Sequence, residues 1–154
     1  MRFYFDSSAL LKLALAESQS AAMKEFVAQA ISQKATCLTS QLGRIETVRA
    51  LRRRFGPDQV SLDQALHLAL DAVSLYPLDA TVTAQAETVG GDTLRSLDAI
   101  HLATALVCRA DALVTYDERL RWAAFDVNIP IVQPGGGVTE LPDGWEWLPG
   151  SVMP

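Results

Sequence analysis

The chain has 154 residues, 49% of them hydrophobic and 20% charged, with a formal net charge of −5. That length suits one domain with a sizeable core, and the composition excludes an intrinsically disordered chain. No apolar run reaches the roughly 18 residues of a membrane span, and the negative balance excludes bulk attraction to nucleic acid.

The first apolar run, 2–5, predicts a strand that ends at Asp6. A strand so near the start leaves no room for a signal peptide, so a cytoplasmic protein is expected. Helical patterns over 7–16 and 19–33 lead to a second strand at 35–39. The next helix, 40–55, carries Glu46 and a cluster of cations, Arg44, Arg49, Arg52, Arg53 and Arg54, and Gly56-Pro57 closes it. A helix over 61–72, a weak strand near 74–77 and a helix over 79–89 follow, the last closed by Gly90-Gly91. Ser96 is placed as the N-cap of the helix 96–109, which puts Asp98 in its first turn. A strand at 112–116 runs into Asp117, then a helix at 117–125 and a strand at 129–132 complete the pattern.

Strands separated by helices predict an α/β fold, a central and mainly parallel sheet flanked by helices. Right-handed crossovers then bring every strand's C-terminal end to one edge, where open α/β sheets bind ligands. From Pro134 the composition shifts to Gly and Pro, with Trp145 and Trp147, so the chain divides into a domain over 1–133 and a tail over 134–154. Two exposed indoles would be unfavourable, and the tail is expected to dock. Cys37 and Cys108 sit in apolar segments without metal-ligand spacing, and are expected to be buried free thiols.

Asp6, Glu46, Asp98 and Asp117 are the candidate site. Each has an ordinary structural explanation: Asp6 and Asp117 as N-caps, Asp98 as a first-turn acid favoured by the helix dipole, Glu46 as a solvated residue beside Arg49. A decoy sharpens the question, since Ser61-Leu62-Asp63 followed by His67 resembles Ser96-Leu97-Asp98 followed by His101. The helix after Asp98 is apolar on nearly every face, whereas that of Asp63 is amphipathic. His101 is assigned to the core as a hydrogen-bonded histidine. Four gathered carboxylates repel one another and are tolerable mainly around a divalent cation. Mg²⁺ or Mn²⁺ in a carboxylate cage, with water as nucleophile, is phosphodiester-hydrolysis chemistry, which points to a metal-dependent nuclease. Leaving out these four charges reduces the net charge to about −1.

The segment Asp6-Ser7-Ser8-Ala9-Leu10-Leu11-Lys12-Leu13 resembles the opening motif of PIN-domain proteins, particularly VapC-type toxins of bacterial toxin–antitoxin pairs. Arg44-Ile45-Glu46 is similar to the second motif, Leu94 through Ala105 to the third, and Thr115-Tyr116-Asp117-Glu118-Arg119-Leu120 to the last. The resemblance spans roughly residues 1–133, with the motifs in order. It implies a PIN-like three-layer fold and a Mg²⁺- or Mn²⁺-dependent endoribonuclease, the toxin of a type II pair, with an antitoxin partner, an RNA substrate and a homodimeric state. By the same resemblance Asp6 and Asp98 are the direct metal ligands and Glu46 and Asp117 complete the cage. Ser8 and Thr115 support it through their hydroxyls. Arg44 and Arg49 are candidates for holding the RNA backbone. Three other readings stand beside this one: a PIN nuclease of RNA processing without an antitoxin, a catalytically silent acidic pocket, and a phospho-accepting receiver domain. The last needs a lysine from a late strand, and Lys12, Lys24 and Lys34 are all early.

Overall fold

The computed structural model describes residues 1–91, 94–137 and 139–146. Its elements are β1 (Arg2–Phe5), α1 (Ser7–Ala14), α2 (Ser20–Ser32), β2 (Thr36–Ser40), α3 (Gln41–Phe55) and α4 (Gln59–Leu70), then β3 (Ser74–Tyr76), α5 (Ala80–Ala86), α6 (Ser96–Val107), β4 (Ala112–Val114), α7 (Glu118–Asp126) and β5 (Ile131–Val132). The five strands pair in parallel in the order β3-β2-β1-β4-β5. The chain builds outward from β1 to β3, crosses back, and builds outward again from β4. The strand order therefore reverses between β1 and β4, the place where parallel α/β sheets open a crevice.

Successive side chains of a strand face opposite ways, and β1 serves two cores. Phe3 and Phe5 pack with Leu10 and Leu13 of α1 and Met23 and Phe26 of α2. Tyr4 points the other way, among Val82 of α5, Leu102 of α6 and Leu120 of α7. A third cluster, Leu51, Leu62 and Ala65 with Leu11 packed on it, joins α3 and α4 to α1. Phe3, Tyr4 and Phe5 are all fully buried, as a parallel strand covered on both faces must be. Burial of each such side chain is worth roughly 1.5–3 kcal/mol.

Five helices start on a side-chain cap. Asp6, Ser40, Asp58, Asp79 and Asp117 each accept a backbone N–H from the first turn that follows. Helix ends shift from expectation by a residue or two, as at α4, which starts at Gln59 rather than 61, and two expected boundary signals fail. Ser96 does not cap α6; it is the first helical residue, and Arg95 stands at the cap without a side-chain bond. Nor do Gly90-Gly91 end α5. The helix stops at Ala86, where the Thr88 and Val89 N–H groups both turn in on the Gln85 carbonyl and Val89 is buried; the positive φ of the two glycines comes after that turn. Gly56 closes α3 with φ of 57°, as expected.

The chain after β5 turns back on the domain. Thr139 bridges Val132 in antiparallel sense, and Trp145 is buried edge-on against Phe3, with ring centroids 4.9 Å apart. The expected docking thus rests on Trp145, while Trp147 lies outside the described residues. Cys37 and Cys108 are both free and buried. Among the described residues no helix is long and apolar enough to cross a membrane.

Candidate active site

Asp6 leaves β1 at the point of strand-order reversal, and its backbone N–H bonds the Val114 carbonyl of β4 at 3.2 Å. Its side chain is 3% exposed and nearly saturated with donors. Oδ1 accepts the Ala9 N–H at 2.9 Å, capping α1, and Oδ2 accepts the Thr115 hydroxyl at 2.7 Å. The Ser8 hydroxyl lies 2.7 and 2.9 Å from the two oxygens. Both hydroxyls are themselves fixed: Ser8 Oγ accepts the Tyr116 N–H at 2.8 Å and Thr115 Oγ1 accepts the Asp117 N–H at 3.0 Å. Ser8 and Thr115 thus tie the end of β1 to the loop after β4 and hold the Asp6 carboxylate in one rotamer.

Asp117 caps α7 with Oδ1, which takes the Arg119 and Leu120 N–H groups at 2.8 and 3.1 Å. The cap engages one oxygen and does not require the other. The structural and functional explanations of Asp6 and Asp117 are therefore compatible.

Glu46 reaches in from the second turn of α3. Its partner is not Arg49 but His101 of α6, whose Nε2 lies 2.7 Å from Glu46 Oε2. The Tyr4 hydroxyl is 2.8 Å from His101 Nδ1. Burial keeps the Tyr4 phenol protonated by pushing its pKa above the usual value. An ionised Glu46 carboxylate can only accept, so Nε2–H donates to it while Nδ1 meets the Tyr4 hydroxyl. His101, 3% exposed, is a hydrogen-bonded core histidine, as the sequence suggested, and it also orients a candidate site acid. The available signal was its position one turn after Asp98 on a buried helix. Gly43 makes room for this arrangement, because a Cβ there would stand 2.3 Å from Thr39 Oγ1 and 3.3 Å from the His101 ring.

Asp98 lies in the first turn of α6, half-buried, and its Oδ2 is buried with no hydrogen-bond partner among the described residues. A buried carboxylate oxygen left unpaired is costly, so a ligand or ion is the natural partner. The decoy Asp63 is exposed and takes a hydrogen bond from Gln59.

Electrostatics link Asp117 to Glu46 and Asp98, and His101 acts on Asp6, Glu46 and Asp98. Burial raises the Asp6 pKa, against the lowering effects of the His101 charge and the hydrogen bonds from Thr115, Ser8 and Ala9. Burial likewise raises Asp98, and the Asp117 charge adds to it, opposed by Arg119, His101 and Arg95. At Glu46, burial and Asp117 push upward, yet the His101 hydrogen bond and charge and the Ser7 hydroxyl hold it below the usual range. The cluster is thus partly compensated by Arg95, Arg119 and His101, which is more cationic support than motif spacing revealed. Asp6, Asp98 and Asp117 also stand at helix N-termini, whose dipoles favour negative charge.

Two carboxylates held in a costly anionic state, one with an orphaned oxygen, fit a hard divalent cation. Among the described residues no group of three His, Cys, Asp or Glu side chains converges closely enough to hold a metal unaided. Mg²⁺ is compatible with such a site because it commonly takes one or two carboxylates and keeps several waters. Arg44 and Arg49 are both exposed on α3. Arg49 lines a cavity of about 350 Å³ with Ser7, Glu46, Arg53 and Leu97, and it is Arg53 rather than Arg44 that joins it there.

Residues 3–126 match the model of the PIN domain family. Ribonuclease VapC47 of Mycobacterium tuberculosis is 39% identical over 134 residues, covering 86% of this chain and 96% of that protein. Ribonuclease VapC35 of the same organism is 35% identical over 136 residues, with the same coverage of both chains. Among solved structures, VapBC2 from Rickettsia felis, bound to a DNA fragment from its promoter, superposes with a TM-score of 0.69 at 12% identity. That superposition covers 86% of this chain and 98% of the other. The sarcin–ricin-loop-cleaving toxin VapC20 of M. tuberculosis gives 0.60 at 19% identity, covering 79% and 94%. These two likenesses establish a common fold.

Proposed function

The chain belongs to the PIN-domain family, and from that premise we propose that it is a metal-dependent endoribonuclease, the toxin of a toxin–antitoxin pair. The observation that carries this reading is the buried Asp6 carboxylate, supported by three donors at the strand-order reversal, together with the unpartnered buried oxygen of Asp98. Relatives bearing the name ribonuclease VapC, similar over 86% of the chain, support RNA as the substrate and an antitoxin protein as the partner.

Asp6 and Asp98 would hold the cation, with Glu46 and Asp117 completing the acidic cluster. When bound, Mg²⁺ or Mn²⁺ supplies Lewis acidity and neutralises charge on the phosphodiester. The chain's own residues prepare the site for it. Ser8 and Thr115 lock the Asp6 rotamer, and ordered side chains of this kind reduce the reorganisation that reaction would otherwise require. His101 holds Glu46 in its anionic form and fixes its direction. Asp117 is fixed by the α7 cap through one oxygen and adds negative charge beside Asp98. Arg49 and Arg53 border the cavity next to Glu46, where they would draw a phosphate backbone toward the acids.

The test is cleavage of RNA by the purified protein with Mg²⁺ or Mn²⁺. We expect EDTA to abolish cleavage. Asp6→Asn should lower kcat by on the order of a thousandfold, the loss of several kcal/mol of transition-state stabilisation. Unchanged cleavage by a folded Asp6→Asn protein would remove Asp6 from the site. Expression without an antitoxin should arrest growth of the host, and Asp6→Asn should relieve that arrest. Vigorous growth despite active enzyme would assign the nuclease to RNA processing instead.

A further inference from the structure

Beside Asp117, and distinct from the cavity that Arg49 lines, lies a second cavity of about 470 Å³. Its lining includes Lys12 of α1, Tyr116 of the loop after β4, Arg121 of α7, and Gln133 and Gly136 from the turn that begins the tail. Tyr116 adjoins Asp117, and its backbone N–H bonds the same Ser8 hydroxyl that supports Asp6. The cavity is therefore wired to the acidic site through one serine.

Its two cations are held in place. The Lys12 ammonium sits over the Tyr116 ring at 5.2 Å and pairs with Glu17. The Arg121 guanidinium lies over the Trp122 ring at 5.0 Å. Yet Arg121 is poorly satisfied. Among the described residues its Nε is buried without an acceptor, and its one ion-pair partner is Glu118, 3.8 Å away on a largely exposed side chain. A guanidinium offers five donors in a planar fork suited to a phosphate, and this one uses few of them. The tail wall of the cavity is a tight turn: Gly136 donates to the Gln133 carbonyl at 2.8 Å, and a Cβ at Gly136 would stand 2.9 Å from the Gln133 Cβ. Outside the cavity the same stripe of α7 continues as Trp122 and Phe125, both 62% exposed, with ring centroids 6.5 Å apart. A cation that binds phosphate beside an exposed indole is the combination that single-stranded RNA uses, one group on the backbone and one under a base.

We propose that the Lys12–Tyr116–Arg121–Gly136 cavity is a phosphate subsite for single-stranded RNA. Arg121 takes a phosphate flanking the scissile one, and Trp122 stacks on the attached base. Arg49 and Arg53, in the separate cavity beside Glu46, would give the same strand a second cationic contact. This inference rests on the ribonuclease reading and deepens it, naming single-stranded RNA as the form bound. Glu118 and Glu17 oppose an anion, so binding requires Glu118 to swing away from Arg121, as its exposed side chain permits.

The test uses a short single-stranded RNA with phosphorothioate linkages, titrated without metal by fluorescence anisotropy, alongside cleavage kinetics on the unmodified RNA. Arg121→Gln should weaken binding and raise KM about tenfold while kcat changes less than twofold, and the salt slope of log K should fall by about one. Arg121→Lys should restore most of the salt slope but not the affinity, since it keeps the charge and loses the fork. Trp122→Ala should weaken binding about tenfold or more without changing the salt slope. Matched thermal melts establish that the variants are folded. If wild type cleaves RNA and Arg121→Gln has unchanged KM and slope, the subsite fails and the ribonuclease reading stands. If wild type binds RNA through Arg121 and cleaves none, the reading fails and the subsite stands. Failure of wild type to bind RNA at all overturns both. A shift from dimer to monomer in Trp122→Ala, with RNA binding intact, would make this stripe a contact between copies of the chain and overturn the proposal.

Discussion

Helices α4 and α6 carry the same tripeptide, Ser-Leu-Asp, near their N-terminal ends, and turn it in opposite directions. In α4, Leu62 is buried against Leu51 and Ala65, while Asp63 and His67 face solvent, bonded to Gln59 and Asp71. In α6, Leu97 is 49% exposed, while Asp98 and His101 turn inward to the acids and to Tyr4. The tripeptide does not decide this; the apolar stripe of each helix does. In α4 the buried positions are Leu62, Ala65 and Ala69, one narrow face laid on its neighbours in the helical layer. In α6 they include Ala99, Leu102, Ala103 and Ala105, which wedge the helix between the sheet, α5 and α7. Asp98 lies one turn before Leu102, and His101 one turn before Ala105, so both share the inward face. An acid on the solvent face of a helix needs no function. One drawn under a buried helix, with an oxygen unpaired, needs a partner.

The comparison breaks most visibly at the two aspartates. Asp98→Asn should reduce RNA cleavage by about a thousandfold with little loss of stability, because it removes a charge that burial already disfavours. Asp63→Asn should leave cleavage within about twofold, as expected of an exposed surface substitution. Single-turnover cleavage of one RNA by both proteins measures this, and equal rates would mean that Asp98 is only a first-turn acid. The two leucines test the same inversion through stability. Leu62→Ala should cost about 2–5 kcal/mol in urea denaturation, whereas Leu97→Ala should stay within about 0.5 kcal/mol. A large loss at Leu97 would show that its side is covered by a second copy or a partner.

The α/β alternation was legible because the apolar strand runs were short and distinct from the amphipathic helices. The helix starts after Asp6 and Asp117 were legible because both acids are capping residues at the junctions, whereas α4 starts two residues before its expected position because Asp58 caps it. Boundaries failed where the competing signal was tertiary. Ser96 looked like a cap, but α6 begins one residue earlier in effect, with the extended Arg95 at its entry. Gly90-Gly91 looked like a stop, but the α5 turn had already tightened to bury Val89. The acids could be named from spacing and resemblance, whereas their environment could not. That Glu46 faces His101 rather than Arg49 depends on how α3 crosses α6, and Gly43 permits that approach. The Arg121 cavity was invisible in sequence because its lining comes from four separated segments, including the tail turn.

The histidines give the finest contrast. His101→Gln removes the ring that joins the Tyr4 hydroxyl to Glu46, leaving a fully buried phenol and a half-buried carboxylate to share a shorter amide. Stability should fall by about 1–3 kcal/mol, the cost of buried polar groups left unpaired. Cleavage should fall roughly tenfold, as when a residue that only orients a site group is lost. His67→Gln should change neither, since its contact with Asp71 is a 3.6 Å pair between two side chains each more than 70% exposed. The urea midpoint and kcat must move together at His101 for the Tyr4–His101–Glu46 chain to be both a packing element and a positioning one. A loss of stability with kcat intact would leave His101 in the core and take Glu46 out of the reaction, because a misdirected Glu46 would then cost nothing.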